Sequence, residues 1–191
     1  ILIFMLNQIY YIIIIGDNMK INKRTYVSKE QTNKIITYFN EVADKKKEEK
    51  QIIYNYHSED DFRLIRTNEY VTLDLKSNDG EDIVYIHKKY EKNMINILTH
   101  IGSYVAVKRF RTRHIYNYDN LYITIDENVK YGNVFRICCE EKDEVKIKKL
   151  YDYFEIEESS MDKFEELYSK YRNSWADLTK DIDEDEFLNN K

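Results

Sequence analysis

The chain has 191 residues, 42% of them hydrophobic and 34% charged, enough for one ordinary domain with a core and too few for two enzyme domains. It contains no proline and 4 glycines, where average usage gives about 13 glycines, so collagen-like, Pro-rich and Gly-rich linker architectures are excluded, as is a Gly-rich phosphate loop. Lys+Arg 30 against Asp+Glu 35 leaves a net charge of −5, which at first sight disfavours a polyanion-binding protein.

Residues 1–15 are almost wholly apolar, yet fall short of the roughly 20 residues that span a bilayer and have no basic residue in front of them. They are read here, within residues 1–18, as an apolar extension or upstream reading frame, with a signal anchor as the alternative; no membrane partner is expected. The domain is expected over residues 19–179, followed by an acidic tail at 180–191 of the kind that is usually solvated.

Strict alternation of apolar and polar residues marks strands with two different faces. In Tyr70–Lys76, Val71, Leu73 and Leu75 oppose Thr72, Asp74 and Lys76. In Leu121–Asp126, Leu121, Ile123 and Ile125 oppose Tyr122, Thr124 and Asp126, and in Val134–Glu140, Phe135, Ile137 and Cys139 oppose Arg136, Cys138 and Glu140. Val105–Arg113 sets Arg109, Arg111 and Arg113 on one face, and Lys20–Tyr26 and Ile83–Lys89 are weaker strands. Helical spacing appears over about residues 28–50, with Ser28 and Gln31 placed for a capping box, over 90–101 with Gly102 as a stop, and over 142–178 with a break near Ser159-Ser160. The fold class that follows is α+β with mainly antiparallel strands.

Three arginines two residues apart on one strand face repel one another and need a reason. Between Val105 and Tyr118 there is no acid to relieve them. A basic edge strand that discourages aggregation is one explanation. The other is a closed β-barrel into which such faces point, where guanidinium groups bind phosphate oxygens bidentately.

The order of these motifs resembles the CYTH superfamily, the triphosphate tunnel metalloenzymes. Phe62-Arg63-Leu64-Ile65-Arg66 followed by Val71-Thr72-Leu73-Asp74-Leu75-Lys76 is similar to the family's "RxR … LTxK" strands, and Val107-Lys108-Arg109-Phe110-Arg111 to its "VxKxR" strand. Ile123-Thr124-Ile125-Asp126 with Tyr131-Gly132-Asn133-Val134-Phe135 is similar to its "LDxVxGLGxF" run, and Tyr171–Leu178 to its closing helix. The resemblance implies a closed antiparallel barrel, the triphosphate tunnel, with flanking helices. It implies phosphate binding by Arg63, Arg66, Lys76, Arg109, Arg111 and Arg113; the spacing of Arg63 and Arg66 lets only one of that pair point inward without a bulge. It implies Mg²⁺ or Mn²⁺ on Asp74, Asp126 and Glu140.

The departures concern the metal. The family's glutamate-bearing strands fall on Lys20–Arg24, Val84–Lys88 and Arg136–Cys138, where those acids are missing. Two functions therefore follow: a metal-dependent hydrolase cleaving the terminal phosphate of inorganic triphosphate, thiamine triphosphate, a nucleotide or an RNA 5′ end, or a catalytically degenerate tunnel that binds such a group or serves as a subunit. An unrelated α+β interaction protein with a surface arginine strand is the third reading. Duplex nucleic acid is not an expected partner. The adjacent Cys138 and Cys139 offer neither a disulfide framework nor zinc spacing, and a reducing cytoplasm is the default. The net charge also divides unevenly: residues 140–191 hold 17 acids and 9 bases, whereas residues 1–139 hold 18 acids and 21 bases. The strand-rich part is mildly basic, which fits a small basic cavity within an acidic exterior.

Overall fold

A computed structural model describes residues 21–57, 62–77, 80–100, 104–130, 132–157, 166, 169 and 179–189. Residues 1–18, the break near Ser159-Ser160, the helix expected over 161–178 and the Gly102 stop lie outside the described residues.

The elements run β1 (Ile21–Val27), α1 (Lys29–Val42), β2 (Lys45–His57), β3 (Phe62–Arg66), β4 (Tyr70–Ser77), β5 (Gly80–His87), α2 (Glu91–His100), β6 (Tyr104–Tyr118), β7 (Leu121–Asn128), β8 (Asn133–Cys139), α3 (Glu144–Tyr153) and α4 (Glu184–Asn189). The strands form one antiparallel sheet in the order β1-β8-β7-β6-β2-β3-β4-β5. Among the described residues β1 and β5 stand at its two ends and no pairing joins them. The expected closed barrel is thus replaced by an open order. Closure needs a staggered ladder between the two end strands, and alternation along a strand reports its faces but not its edge partners.

Helix α1 starts where the sequence says it should. Ser28 Oγ accepts from Gln31 N at 3.1 Å while Gln31 Oε1 accepts from Ser28 N at 2.9 Å, a complete capping box. Its end is earlier than the helical reading over 28–50. Ala43 N–H still bonds Phe39 O, but Asp44 N–H turns to Asn117 O, and Lys45 opens β2. The run Lys45–Lys50 is charged on both sides and so carries no period. The β-forming stretch Ile52–Tyr56 and the ladder to β3 decide its conformation.

The described residues fall into two compact units, within Ile1–Glu48, His114–Glu127 and Gly132–Glu166 for the first and within Glu49–Arg113, Asn128–Tyr131 and Leu167–Lys191 for the second. In the first, Ile35 and Phe39 of α1 pack with Ile123, Ile125, Phe135 and Ile137 of the strands and with Ile147, Leu150 and Phe154 at α3. In the second, Ile52, Tyr54, Leu64, Val71, Ile86 and Phe110 form an apolar face covered by Leu98 of α2 and Leu188 of α4. Each core uses one face of its strands, leaving the other face to polar residues.

Candidate phosphate-binding face

In the second unit the strand register assembles that polar face. Asn55 of β2 lies opposite Arg63 of β3, and Arg63 lies opposite Asp74 of β4. Ile65 lies opposite Thr72, and Thr72 opposite Tyr85 of β5. The β6 arginines join from the other side of β2: Arg109 Nη2 donates to Asn55 Oδ1 at 3.3 Å, and Arg111 donates through Nε and Nη2 to Gln51 Oε1 at 2.8 and 2.6 Å. Although polar, this face is not an ordinary solvated surface. Gln51, Thr72 and Asp74 are buried, and Arg111 is only 8% exposed.

Burying a guanidinium requires that its donors be met. Gln51 meets two of those on Arg111, and Gln51 Nε2 in turn donates to Glu49 Oε1, whose other oxygen accepts from Tyr70 Oη at 2.8 Å. Burial, followed by the charge of Glu49 and the hydrogen bond to it, pushes the Tyr70 hydroxyl well up, with Arg113 opposing. Tyr70 is therefore a fixed donor, and Arg113 stands near it. Lys76 lies opposite Glu81 in the ladder; its side chain is outside the described residues.

Arg63 and Arg66 part company. Arg63 Nε donates to Asp74 Oδ2 at 2.9 Å on the polar face. Arg66 is on the opposite face, within 2.7 Å of Glu91 Oε1, 3.0 Å of Glu184 Oε2 and 2.8 Å of Asp185 Oδ1. An odd spacing on an unbulged strand separates the pair. The structure brings Arg63, Arg109 and Arg111 to one face and does not bring Arg66 there. The acids holding Arg66 include the start of α4, so the acidic run at 180–191 is not simply solvated. Glu184 also accepts from Lys108 Nζ at 2.6 Å and Tyr54 Oη at 2.5 Å, and Phe187 sets its ring against Phe110.

In the first unit, Asp126 is buried opposite Val134, and Thr124 lies opposite Arg136. Across β8, Arg136 lies opposite Arg24 and Cys138 opposite Asn22, with Arg136 Nε donating to Asn22 Oδ1 at 2.9 Å. Both cysteines are buried thiols. Glu140 follows the end of β8, exposed, with its carboxylate 2.7 Å from Lys142 Nζ. Trp175 and the Tyr171–Leu178 motif are outside the described residues.

The residues do not fit a divalent ion held by Asp74, Asp126 and Glu140. Asp74 is paired with Arg63, Glu140 with Lys142, and arginines face each other where the resemblance calls for glutamates. No group of three His, Cys, Asp or Glu among the described residues is placed to hold a metal, whereas hard cations need several oxygen ligands. No helix among the described residues is long and apolar enough to cross a membrane.

Glu49, Gln51 and Asn55 were not legible as site residues because β2 was not legible as a strand. The available signal was the alternation of Gln51, Ile53 and Asn55 with Ile52, Tyr54 and Tyr56.

The same fold is found in solved structures described as adenylate or adenylyl cyclases and in Pyrococcus proteins, each under 25% identical to this chain. HpAC1 from Hippeastrum, described as an adenylyl cyclase with a dominant triphosphatase activity, is 14% identical with a TM-score of 0.56, covering 78% of this chain and 95% of its own. A Bacillus halodurans protein described as an adenylate cyclase is 14% identical, also at 0.56, over 75% of this chain and 93% of its own. The PH1819 protein of Pyrococcus horikoshii is 23% identical at 0.53, over 72% and 91%. No protein-family model and no curated protein matches the sequence.

Proposed function

We propose that this chain binds a triphosphate group, from a small molecule or an RNA 5′ end, on the face carrying Arg63, Arg109, Arg111, Arg113 and Lys76. The supporting observation is Arg111: a guanidinium 8% exposed, held in one orientation by Gln51 on a strand face that also carries Arg63 and Arg109. A buried cation set on a rigid strand suits phosphate oxygens because its desolvation cost is already met and little side-chain entropy remains to be lost. Binding that rests on guanidinium groups requires no metal, so affinity for inorganic tripolyphosphate should survive EDTA and fall at least tenfold in the Arg109→Ala/Arg111→Ala double variant. Calorimetric titration of the full chain tests this. Undiminished affinity in the double variant removes the basis of the proposal.

Hydrolysis of the terminal phosphate is the second reading, favoured by the likeness to the Hippeastrum protein described with a dominant triphosphatase activity. The arginines would stabilise charge on the phosphoryl oxygens. A divalent ion, when bound with the substrate, would supply Lewis-acid chemistry. Release of phosphate from tripolyphosphate or a nucleoside triphosphate on adding Mg²⁺ or Mn²⁺, abolished in Arg111→Ala, supports this reading, and binding without release leaves the protein a non-catalytic binder.

A further inference from the structure

One row of the polar face contains polar atoms that the protein itself does not satisfy. Asn55, Arg63 and Asp74 are cross-strand neighbours on β2, β3 and β4. Asn55 spends its Oδ1 on Arg109, and its Nδ2 is buried with no hydrogen-bond partner. Asp74 spends its Oδ2 on Arg63; its Oδ1 is buried with no hydrogen-bond partner, in a residue only 4% exposed. Leaving such an atom unmet is costly, more so for a charged group, and native proteins tolerate few of them.

The chemistry of the two orphans differs from that of the arginines beside them. A carboxylate oxygen repels phosphate, so Asp74 marks the place where a bound ligand stops being phosphate. Whatever meets Oδ1 must be a hydrogen-bond donor or a cation. A divalent ion is disfavoured there because the Arg63 guanidinium already occupies the other oxygen and no second acid joins Asp74 in a metal-binding group among the described residues. A neutral hydroxyl suits it. Asn55 Nδ2, two strands away and about 10 Å off at the backbone, requires an acceptor such as a phosphate ester oxygen.

We propose that the Asn55–Arg63–Asp74 row reads the sugar end of a nucleoside triphosphate, with Asp74 Oδ1 accepting from a ribose hydroxyl and Asn55 Nδ2 donating to the phosphate next to it. The substrate class is then a ribonucleotide or the first nucleotide of a 5′-triphosphorylated RNA, rather than inorganic triphosphate. This rests on the triphosphate reading of the same face.

The test uses the unmodified full chain in EDTA, titrated with inorganic tripolyphosphate, ATP and 2′,3′-dideoxy-ATP. The expected order is ATP bound about tenfold or more tighter than both others, one hydrogen bond to a charged acceptor. Equal affinity for the three overturns the row's role while leaving the triphosphate reading intact; binding of none of them overturns both. Dideoxy-ATP binding as well as ATP, with tripolyphosphate weaker, assigns the discrimination to the base and overturns the ribose contact. A preference for ATP that appears only on adding Mg²⁺ places a cation at Asp74 and also overturns it. As a second variant, Asp74→Asn, which keeps an acceptor oxygen, should retain part of the preference for ATP over dideoxy-ATP, whereas Asp74→Leu should abolish it; a preference unchanged in Asp74→Leu overturns the ribose contact.

Discussion

Arg111 and Gln51 are joined by two hydrogen bonds to a single oxygen, Nε at 2.8 Å and Nη2 at 2.6 Å, both within the buried polar face. The amide can hold that orientation only because its nitrogen end is taken by Glu49, which is itself held by Tyr70. The guanidinium is thus aimed by a relay of three side chains on β2 and β4, none of them a cation.

Replacing Gln51 by Leu should therefore weaken tripolyphosphate binding about tenfold, although Gln51 is not a phosphate ligand, because Arg111 loses the acceptor that orients it. Gln51→Glu should weaken it further by placing a carboxylate against the cation that phosphate needs. Calorimetric titration checks both, with near-ultraviolet circular dichroism to show that the fold is intact. Equal affinity in all three proteins would mean that the relay does not aim Arg111 for a ligand.

Arg63 and Arg66 are separated by two residues in sequence and by the thickness of the sheet in space, which makes them a matched pair for experiment. Arg63→Ala should lower tripolyphosphate affinity by about tenfold. Arg66→Ala should leave affinity within about twofold yet cost about 1–3 kcal/mol of stability, since Glu91 and Glu184 each lose a charged donor while keeping Lys88 and Lys108. Urea denaturation beside titration separates the two effects. A large loss of affinity in Arg66→Ala with stability unchanged would reverse the assignment of faces.

What could be read from the sequence, and what could not, follows from where the information sits. The alternation in Tyr70–Lys76 and Leu121–Asp126 is local, and both segments are two-faced strands with their apolar residues in the cores. The Ser28 and Gln31 cap is likewise local. The charged run Lys45–Lys50 has no period, so β2 is set by its neighbours β3 and β6, and the buried relay of Glu49, Gln51 and Asn55 was hidden with it. The role of Glu184 was equally hidden, because an acidic run looks the same whether water or Arg66 and Lys108 surround it. The expected metal acids could be listed but not assembled: spacing puts Asp74 and Asp126 on polar faces without saying that Arg63 claims the former.

The cap on α1 gives a prediction at a residue far from the polar face. Ser28→Ala removes the Oγ acceptor for Gln31 N–H and should cost about 1 kcal/mol. Thr32 Oγ1 also bonds Ser28 O at 2.8 Å, a contact through the backbone that the substitution preserves. Tripolyphosphate affinity should be unchanged, and the loss should appear as a lower denaturation midpoint at constant slope.

Acid should loosen the clasp at the start of α4. Burial pushes the Glu184 carboxyl up, but hydrogen bonds from Lys108 and Tyr54, together with the charges of Lys108 and Arg66, outweigh it and hold the carboxyl below its ordinary value. A carboxyl held down in the folded state stabilises above the unfolded value, about 4.3 for glutamate, and that contribution is lost as pH falls through the lower folded value. Tyr54 moves the opposite way, since burial and then Glu184 push its hydroxyl up, so it stays a donor throughout this range. Glu184→Gln should therefore be less stable than the parent at pH 7, by about 1–3 kcal/mol, and the difference should shrink as pH drops below about 4. Denaturation midpoints of the two proteins at matched pH values measure that difference directly, with the other carboxyls common to both. A gap that stayed constant from neutral to acid pH would show that Glu184 contributes through packing of α4 rather than through its charge.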